Sequence, residues 1–303
     1  MPTWLLIIII VISSLILSFL IFSVIVLTHM SKLLVCPKYK TREELIKSAH
    51  HEEWPGYFDL KKEPFQLKMR DGYIINGDVS IHENSHKIAI FCHGHGSTRE
   101  GSTKYGLTYY SLGYTVVRYD HRGHGDNVRV KCTMGANESK DLIEIVEYVR
   151  NRFGKDSEIA LHGASMGAAT ILIASSKLKN IKFIVADCPY SSISNFGADV
   201  IKGHHQPAWL LRPIFDFIMF TFRGIKKNDM SPVYHVKNND IPVLLLHGAK
   251  DNFILPYHTE LIFKANKGEK ERHVFPNGTH ANSVFDDPEE YQEVLVDFIK
   301  RHE

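Results

Sequence analysis

The chain has 303 residues, 44% hydrophobic and 23% charged, with 36 Lys and Arg against 34 Asp and Glu and a formal net charge of +2. This is ordinary globular composition with no polybasic region, which argues against nucleic acid as a partner. The four cysteines, Cys36, Cys92, Cys132 and Cys188, form no disulfide or zinc spacing, in keeping with a reducing compartment.

Residues Leu5 to Leu27 carry no charge and are almost all Leu, Ile, Val, Phe and Ser. As a helix this run reaches about 34 Å, enough to span a bilayer. A cleaved signal peptide is the alternative reading. No Lys or Arg precedes the run, and no small-x-small cleavage site follows it. Cys36 is not a lipoprotein cysteine, because Leu34 and Val35 stand where such processing needs small residues. We therefore expect a single-pass anchor at residues 1–30, a connector at 31–60 and a catalytic domain at 61–303. Positive charge flanks the span on its C-terminal side, at Lys32, Lys38, Lys40, Arg42 and Lys47, which predicts a cytoplasmic domain.

Thr41 to Asp59 is polar and partly helical in pattern. Phe65 to Arg70 and Tyr73 to Ile81 then flank Asp71-Gly72 as a hairpin. Short apolar strands follow, at Lys87 to Cys92, Tyr114 to Tyr119, Glu158 to Leu161, Lys182 to Ala186, Val243 to Leu246 and Arg272 to Phe275. Helices alternate with them near Tyr105 to Leu112, Ser139 to Phe153, Met166 to Leu178, Pro256 to Ala265 and Pro288 to Arg301. Such alternation predicts an α/β fold, a mainly parallel sheet covered on both faces, with ligands at the carboxyl ends of the strands. Asn137 and Asn277 sit in glycosylation-type triplets but fit a helix N-cap and a turn.

The chemistry-bearing residues cluster at those strand ends. Gly163-Ala164-Ser165-Met166-Gly167 places a serine between a strand and a small-residue helix. The two glycines leave room for a sharp turn, and the helix aims its free N–H groups at the same point. His93-Gly94-His95-Gly96, Asp120-His121-Arg122-Gly123-His124-Gly125, His247-Gly248-Ala249-Lys250-Asp251 and Pro276-Asn277-Gly278-Thr279-His280 end other strands.

Jointly these motifs resemble the α/β-hydrolase superfamily, in the branch that includes serine aminopeptidase-like and monoacylglycerol lipase-like enzymes. The resemblance runs from about Phe65 to Arg301 and implies an eight-stranded, mainly parallel sheet. It makes Ser165 the nucleophile, Asp251 the acid and His280 the base, in the chain order this fold uses. The backbone N–H groups of His95 and Met166 become the oxyanion donors. Asp187 is a rival acid, and His273, His258 and His302 are rival bases. Asp120 and Arg122 are expected to brace their loop. The family commonly has Ser soon after that turn, where this chain has Asp126-Asn127.

His93-x-His95 and His121-x-x-His124 are zinc-compatible spacings, but Gly96-Ser97-Thr98 follows where metallo-β-lactamase-like hydrolases need Asp-His. No metal or organic cofactor is expected. In the family's strand order Cys92 and Cys188 flank a strand, about 9 to 10 Å apart, so both are expected to be buried free thiols. Residues 190–240 form the insert where the family places a cap. Within it Leu211, Ile214, Phe215, Ile218, Met219 and Phe222 follow helical spacing, with Pro213 in the first turn and Gly224 at the end. Trp209, Leu210, Phe217 and Phe220 remain to line an acyl pocket or touch the bilayer.

The sequence thus predicts a membrane-anchored serine hydrolase that cleaves an ester, thioester or amide, foremost a carboxylesterase or lipase on a small-molecule or lipid acyl substrate. A peptidase is the enzymatic alternative, with Asp199 or Asp216 to receive a peptide amino terminus. A non-catalytic, membrane-tethered binding module is the alternative from another class.

Overall fold

The computed structural model describes residues 1–48, 60–222 and 224–303. Its first element, α1 (Thr3–Val35), contains the apolar span and continues past it. At 33 residues it is about 50 Å long, and its C-terminal part lies against the rest of the protein. Ser23, Leu27, Ser31 and Val35, spaced four apart on one stripe, are its buried residues. A short helix, α2 (Arg42–Ser48), follows; the remainder of the expected connector, residues 49–59, lies outside the described residues.

The Asp71-Gly72 turn joins β1 (Glu63–Lys68) to β2 (Ile74–Ser80) as an antiparallel pair. Gly72 takes φ +86°, and the Asp71 carboxylate accepts the Tyr73 N–H at 3.0 Å. Then come β3 (Lys87–Cys92), α3 (Thr103–Ser111), β4 (Thr115–Tyr119), α4 (Glu138–Phe153), β5 (Glu158–Ala164), α5 (Met166–Ala174) and β6 (Ile181–Asp187). The insert contributes α6 (Ile193–Gly203), α7 (Ala208–Phe222) and α8 (Pro232–His235). The chain ends with β7 (Val243–Gly248), α9 (Tyr257–Ala265), β8 (Lys270–Phe275), α10 (Ser283–Asp286) and α11 (Pro288–His302).

The eight strands lie in the order β1-β2-β4-β3-β5-β6-β7-β8, and every pair from β4 to β8 is parallel. β3 and β7 are apolar nearly throughout because both sheet faces are covered. On α4, Leu142, Ile145, Val146 and Val149 form the buried stripe against one face; α11 covers the other with Tyr291, Leu295, Phe298 and Ile299. Register aligns the strand ends that matter. Cys92 pairs with Gly163, Ala164 with Asp187, and Gly248 with Phe275. All four cysteines are free, with Cys92, Cys132 and Cys188 buried.

A third apolar cluster joins the insert to the first helix. Leu27 and Val35 of α1 pack with Leu211, Phe215, Ile218 and Met219 of α7, and with Met166 at the head of α5. Leu211, Phe215, Ile218 and Met219 of the expected stripe are therefore buried and Ile214 partly so, while Trp209 and Phe217 face outward. Pro213 is a correction: α7 starts at Ala208, so the proline lies in its interior rather than its first turn. The buried stripe on either side of it outweighs the hydrogen bond it cannot make. Asn137 falls where the sequence places it, at the head of α4. It holds the N-cap position of α4, but its side chain caps nothing and accepts from Lys140 instead. Glu138 ties down that turn, accepting the N–H groups of Thr133 and Gly135 at 2.9 Å.

One feature of the sheet has no apolar logic. Asp78 on β2 sits opposite Arg118 on β4, and Arg118 is fully buried. Its guanidinium forks onto Asp78 at 2.9 Å and reaches Glu100 at 2.9 Å, while Arg99 bonds Asp78 at 3.0 Å and also Asp120. The pairing satisfies charges whose burial alone would be costly, and it pins the loop after β3 to strands β2 and β4.

Candidate active site

Ser165 stands between β5 and α5 with φ +54° and ψ −118°, a conformation that side chains rarely adopt and that costs on the order of 1–3 kcal/mol. The turn is held by two bonds: the Ser165 N–H donates to the Asp187 carbonyl at 2.8 Å, and Ala169 donates to the Ser165 carbonyl at 3.0 Å. The flanking glycines are required by contact. A Cβ on Gly167 would lie 2.0 Å from the Cys92 carbonyl oxygen, and one on Gly163 would lie 2.6 Å from the Gly167 carbonyl carbon. Backbone cannot move aside as a flexible side chain could.

His280 reaches this serine from the loop after β8. Its Nε2 lies 3.0 Å from Ser165 Oγ, and its Nδ1 lies 2.7 Å from Asp251 Oδ2. Asp251 follows β7 and is buried. Burial pushes its carboxyl up, but the bonds from His247 and His280 outweigh this and hold it below the usual carboxylate range. Its Oδ1 also accepts the N–H groups of Phe253 and Ile254, both at 2.9 Å. An ionised carboxylate in this place orients the imidazole so that Nε2 can accept a proton from the serine.

The His93 to Gly96 loop borders the serine, since a Cβ on Gly94 would be 3.6 Å from Ser165 Cβ. Met166 opens α5, so its N–H has no partner within the helix. These placements bring Ser165, Asp251, His280, His95 and Met166 to one end of the sheet.

The rivals are committed elsewhere. Asp187 accepts from the hydroxyls of Tyr105 and Tyr291 at 2.9 and 3.1 Å. Buried His258 accepts from Ser191 and donates to Asp199 at 2.8 Å, while His273 pairs with Glu290 and His302 with Glu269. Asp120 accepts the backbone N–H of Arg99, and Arg122 forks onto Asp141. Asn127, which follows that turn, braces it: its amide donates to the Asp120 and His121 carbonyls and its oxygen accepts from the Asn76 N–H.

The histidine loops do not form a metal cradle. His93 donates to the Gly94 carbonyl and accepts the His121 N–H, and His124 bonds the Arg122 carbonyl and the Gly96 N–H. Burial pushes both rings toward the neutral form. Cys188 Sγ does lie within 4.8 Å of ligand atoms of Asp251 and His280. An ion held by these three would have to break the Asp251–His280 bond, because the other Asp251 oxygen is already saturated by backbone.

Three contributors escaped the sequence. His247 flanks the Asp251 carboxylate at 3.3 Å and donates to the Ile254 carbonyl; its spacing of four from Asp251 in one motif was the available signal. Lys104 donates to the Ala281 carbonyl beside His280. Phe253, more than half exposed, sets its ring edge-on to His280 at 4.9 Å and touches Phe196.

A model of the prolyl oligopeptidase family matches residues 101–302. The uncharacterized protein YqkD of Bacillus subtilis is 29% identical over 282 residues, covering 91% of each chain. The lysophosphatidylserine lipase ABHD12 of Rattus norvegicus is 26% identical over 188 residues, 58% of this chain and 44% of that protein. Among solved structures, the Pyrococcus furiosus esterase Pf2001 superposes with a TM-score of 0.67 at 24% identity, over 82% of this chain and 94% of its own.

Proposed function

The chain belongs to the prolyl oligopeptidase family and is a serine hydrolase of the α/β-hydrolase kind, and from that premise we propose that it is a membrane-anchored carboxylesterase or lipase acting on an apolar acyl group. The observation that carries this is the unbroken hydrogen-bond chain from Asp251 through both ring nitrogens of His280 to Ser165.

In this reading His280 Nε2 takes the Ser165 proton as Oγ attacks the acyl carbon. The tetrahedral oxyanion is held by the N–H groups of His95 and Met166, and the imidazolium by Asp251. His280 then gives its proton to the leaving oxygen, which departs as an alcohol and leaves an acyl-enzyme. Water, deprotonated by the same imidazole, releases the acid and restores the serine.

An apolar acyl group is favoured by what borders the site. Phe253 flanks His280 and is backed by Phe196, and the insert is apolar. Asp199 and Asp216, the carboxylates a peptide amino terminus could use, are engaged by Tyr257 with His258 and by Ser194. A lysophosphatidylserine lipase among the relatives points the same way. The test is a panel of acyl esters of graded chain length and aminoacyl amides, assayed with the full chain in detergent micelles. We expect kcat/KM to rise about fourfold per methylene that reaches the apolar rim, from about 0.8 kcal/mol per buried CH₂. Amides turned over faster than every ester would establish a peptidase instead.

The same reading makes residues 1–30 the anchor, with 31–60 linking it to a domain at 61–303 that carries a cap at about 190–240. α1 is long and apolar enough to cross a membrane. The basic residues after the span favour a cytoplasmic domain. Protease added outside sealed cells should then leave the domain intact, and its cleavage there would reverse the orientation.

A further inference from the structure

The last carbonyls of a helix have no partner within it. At the end of α1 two of them are taken up by the active-site end of the sheet. The Leu34 carbonyl accepts from His95 Nε2 at 2.7 Å, and the Val35 carbonyl accepts the Cys132 N–H at 2.8 Å. Because a carbonyl can only accept, His95 must carry its proton on Nε2, and burial favours that neutral ring.

The residues after α1 then wrap the same loop. Lys40 N–H donates to the Gly96 carbonyl at 2.9 Å, and a Cβ on Gly96, whose φ is +70°, would come 3.0 Å from the Lys38 carbonyl oxygen. The Tyr39 ring packs edge-on to His124 at 5.0 Å, and His124 itself accepts the Gly96 N–H. Arg42 closes the clasp on Glu100 at 2.6 Å and on Asp126 at 3.1 Å. His95 therefore faces two ways: its side chain is bound to the membrane-spanning helix, and its backbone N–H belongs to the loop beside Ser165.

We propose that the C-terminal end of α1 is a working part of the active site, and that the His95 side chain is a positioning residue through which the Leu34 carbonyl sets the oxyanion loop. This rests on the reading above that the His95 N–H receives the oxyanion. Donors to an oxyanion act only within a few tenths of an ångström of the right place. A loop released from α1 loses transition-state stabilisation while ground-state binding, which depends on the apolar rim, is preserved.

The test compares His95→Leu, which fills similar space without a donor, with His95→Gln, whose amide can donate to the same carbonyl. Both are made in the full chain, in detergent micelles, and kcat, KM and melting temperature are measured on an acyl ester. His95→Leu is expected to lower kcat about 100-fold, the effect of a displacement of about 1 Å, with KM within about threefold. His95→Gln is expected to recover most of that loss. Should His95→Leu fail to fold, Tyr39→Ala loosens the same clasp from outside the loop and should lower kcat with KM held. Wild-type kcat in a folded His95→Leu, or no recovery in a folded His95→Gln, overturns the proposal. Wild type is treated in parallel with a fluorophosphonate: labelling at Ser165 with unchanged kcat in His95→Leu sinks only the coupling, whereas a wild type that neither labels nor turns over ester removes the hydrolase reading and the coupling with it.

Discussion

Ser165→Ala is expected to lower kcat about 10⁶-fold, leaving only the residual catalysis of an oxyanion site and binding, about 10³-fold over water. The size follows from the geometry. Ser165 Oγ is the atom 3.0 Å from His280 Nε2, at the apex of a turn that two backbone hydrogen bonds and two glycines hold in place. Alanine keeps the Cβ, so the backbone at φ +54° faces the same constraint and the fold should melt within about 2 °C of wild type. Labelling of the full chain by a fluorophosphonate reads the same event covalently. It should be stoichiometric in wild type and absent in Ser165→Ala; persistent labelling of the variant would place the nucleophile elsewhere.

Asp251→Asn is the second large effect, about 10⁴-fold in kcat. The Asp251 Oδ1 partners are backbone N–H groups of Phe253 and Ile254, which only an acceptor can meet. The carboxamide oxygen must therefore take that side and turn the NH₂ toward His280 Nδ1. The imidazole is then driven to the tautomer protonated at Nε2, and that nitrogen can no longer accept the Ser165 proton. Asp187→Asn serves as the comparison. It perturbs two tyrosine hydroxyl bonds rather than the histidine, and its effect on kcat should stay within about tenfold. The two assays together assign the acid, and a large loss in Asp187→Asn with a small one in Asp251→Asn would exchange their roles.

Periodicity exposed most of the sheet, because β3 through β7 are apolar runs bounded by glycine, proline or polar turns, and burial on both faces demands that pattern. Their ends were less legible. β5 extends to Ala164 and β7 to Gly248, three and two residues beyond the apolar runs that end at Leu161 and Leu246, because ladder pairing with neighbours continues past the apolar residues. Ser165, Asp251 and His280, which the structure joins by hydrogen bonds, could be singled out because the proposed chemistry restricts the residue type and the fold restricts the chain order.

What lay beyond reach was long-range. The His95 to Leu34 bond joins residues 61 apart, and nothing in the polar Lys38 to Arg42 segment distinguishes a clasp from a solvated tether. Arg118 within β4 and Asp78 within β2 read as ordinary charges on a strand until register sets them opposite one another under cover. Pro213 misled for a related reason: local preference places proline at a helix start, and only the buried stripe of α7 shows why a later position is tolerated.

The positive φ of Ser165 also bears on how much stability this chain can gain. Glycine alone would adopt that conformation freely, so the fold carries at residue 165 a standing strain of about 1–3 kcal/mol that only loss of the Cβ itself would relieve. In the role proposed for Ser165, function and stability oppose one another at a single residue, as expected where a reactive group is held ready in advance. Any variant of this protein selected purely for heat resistance would be under pressure to abandon the serine, and a glycine found there would mark a lineage that kept the fold and gave up the reaction.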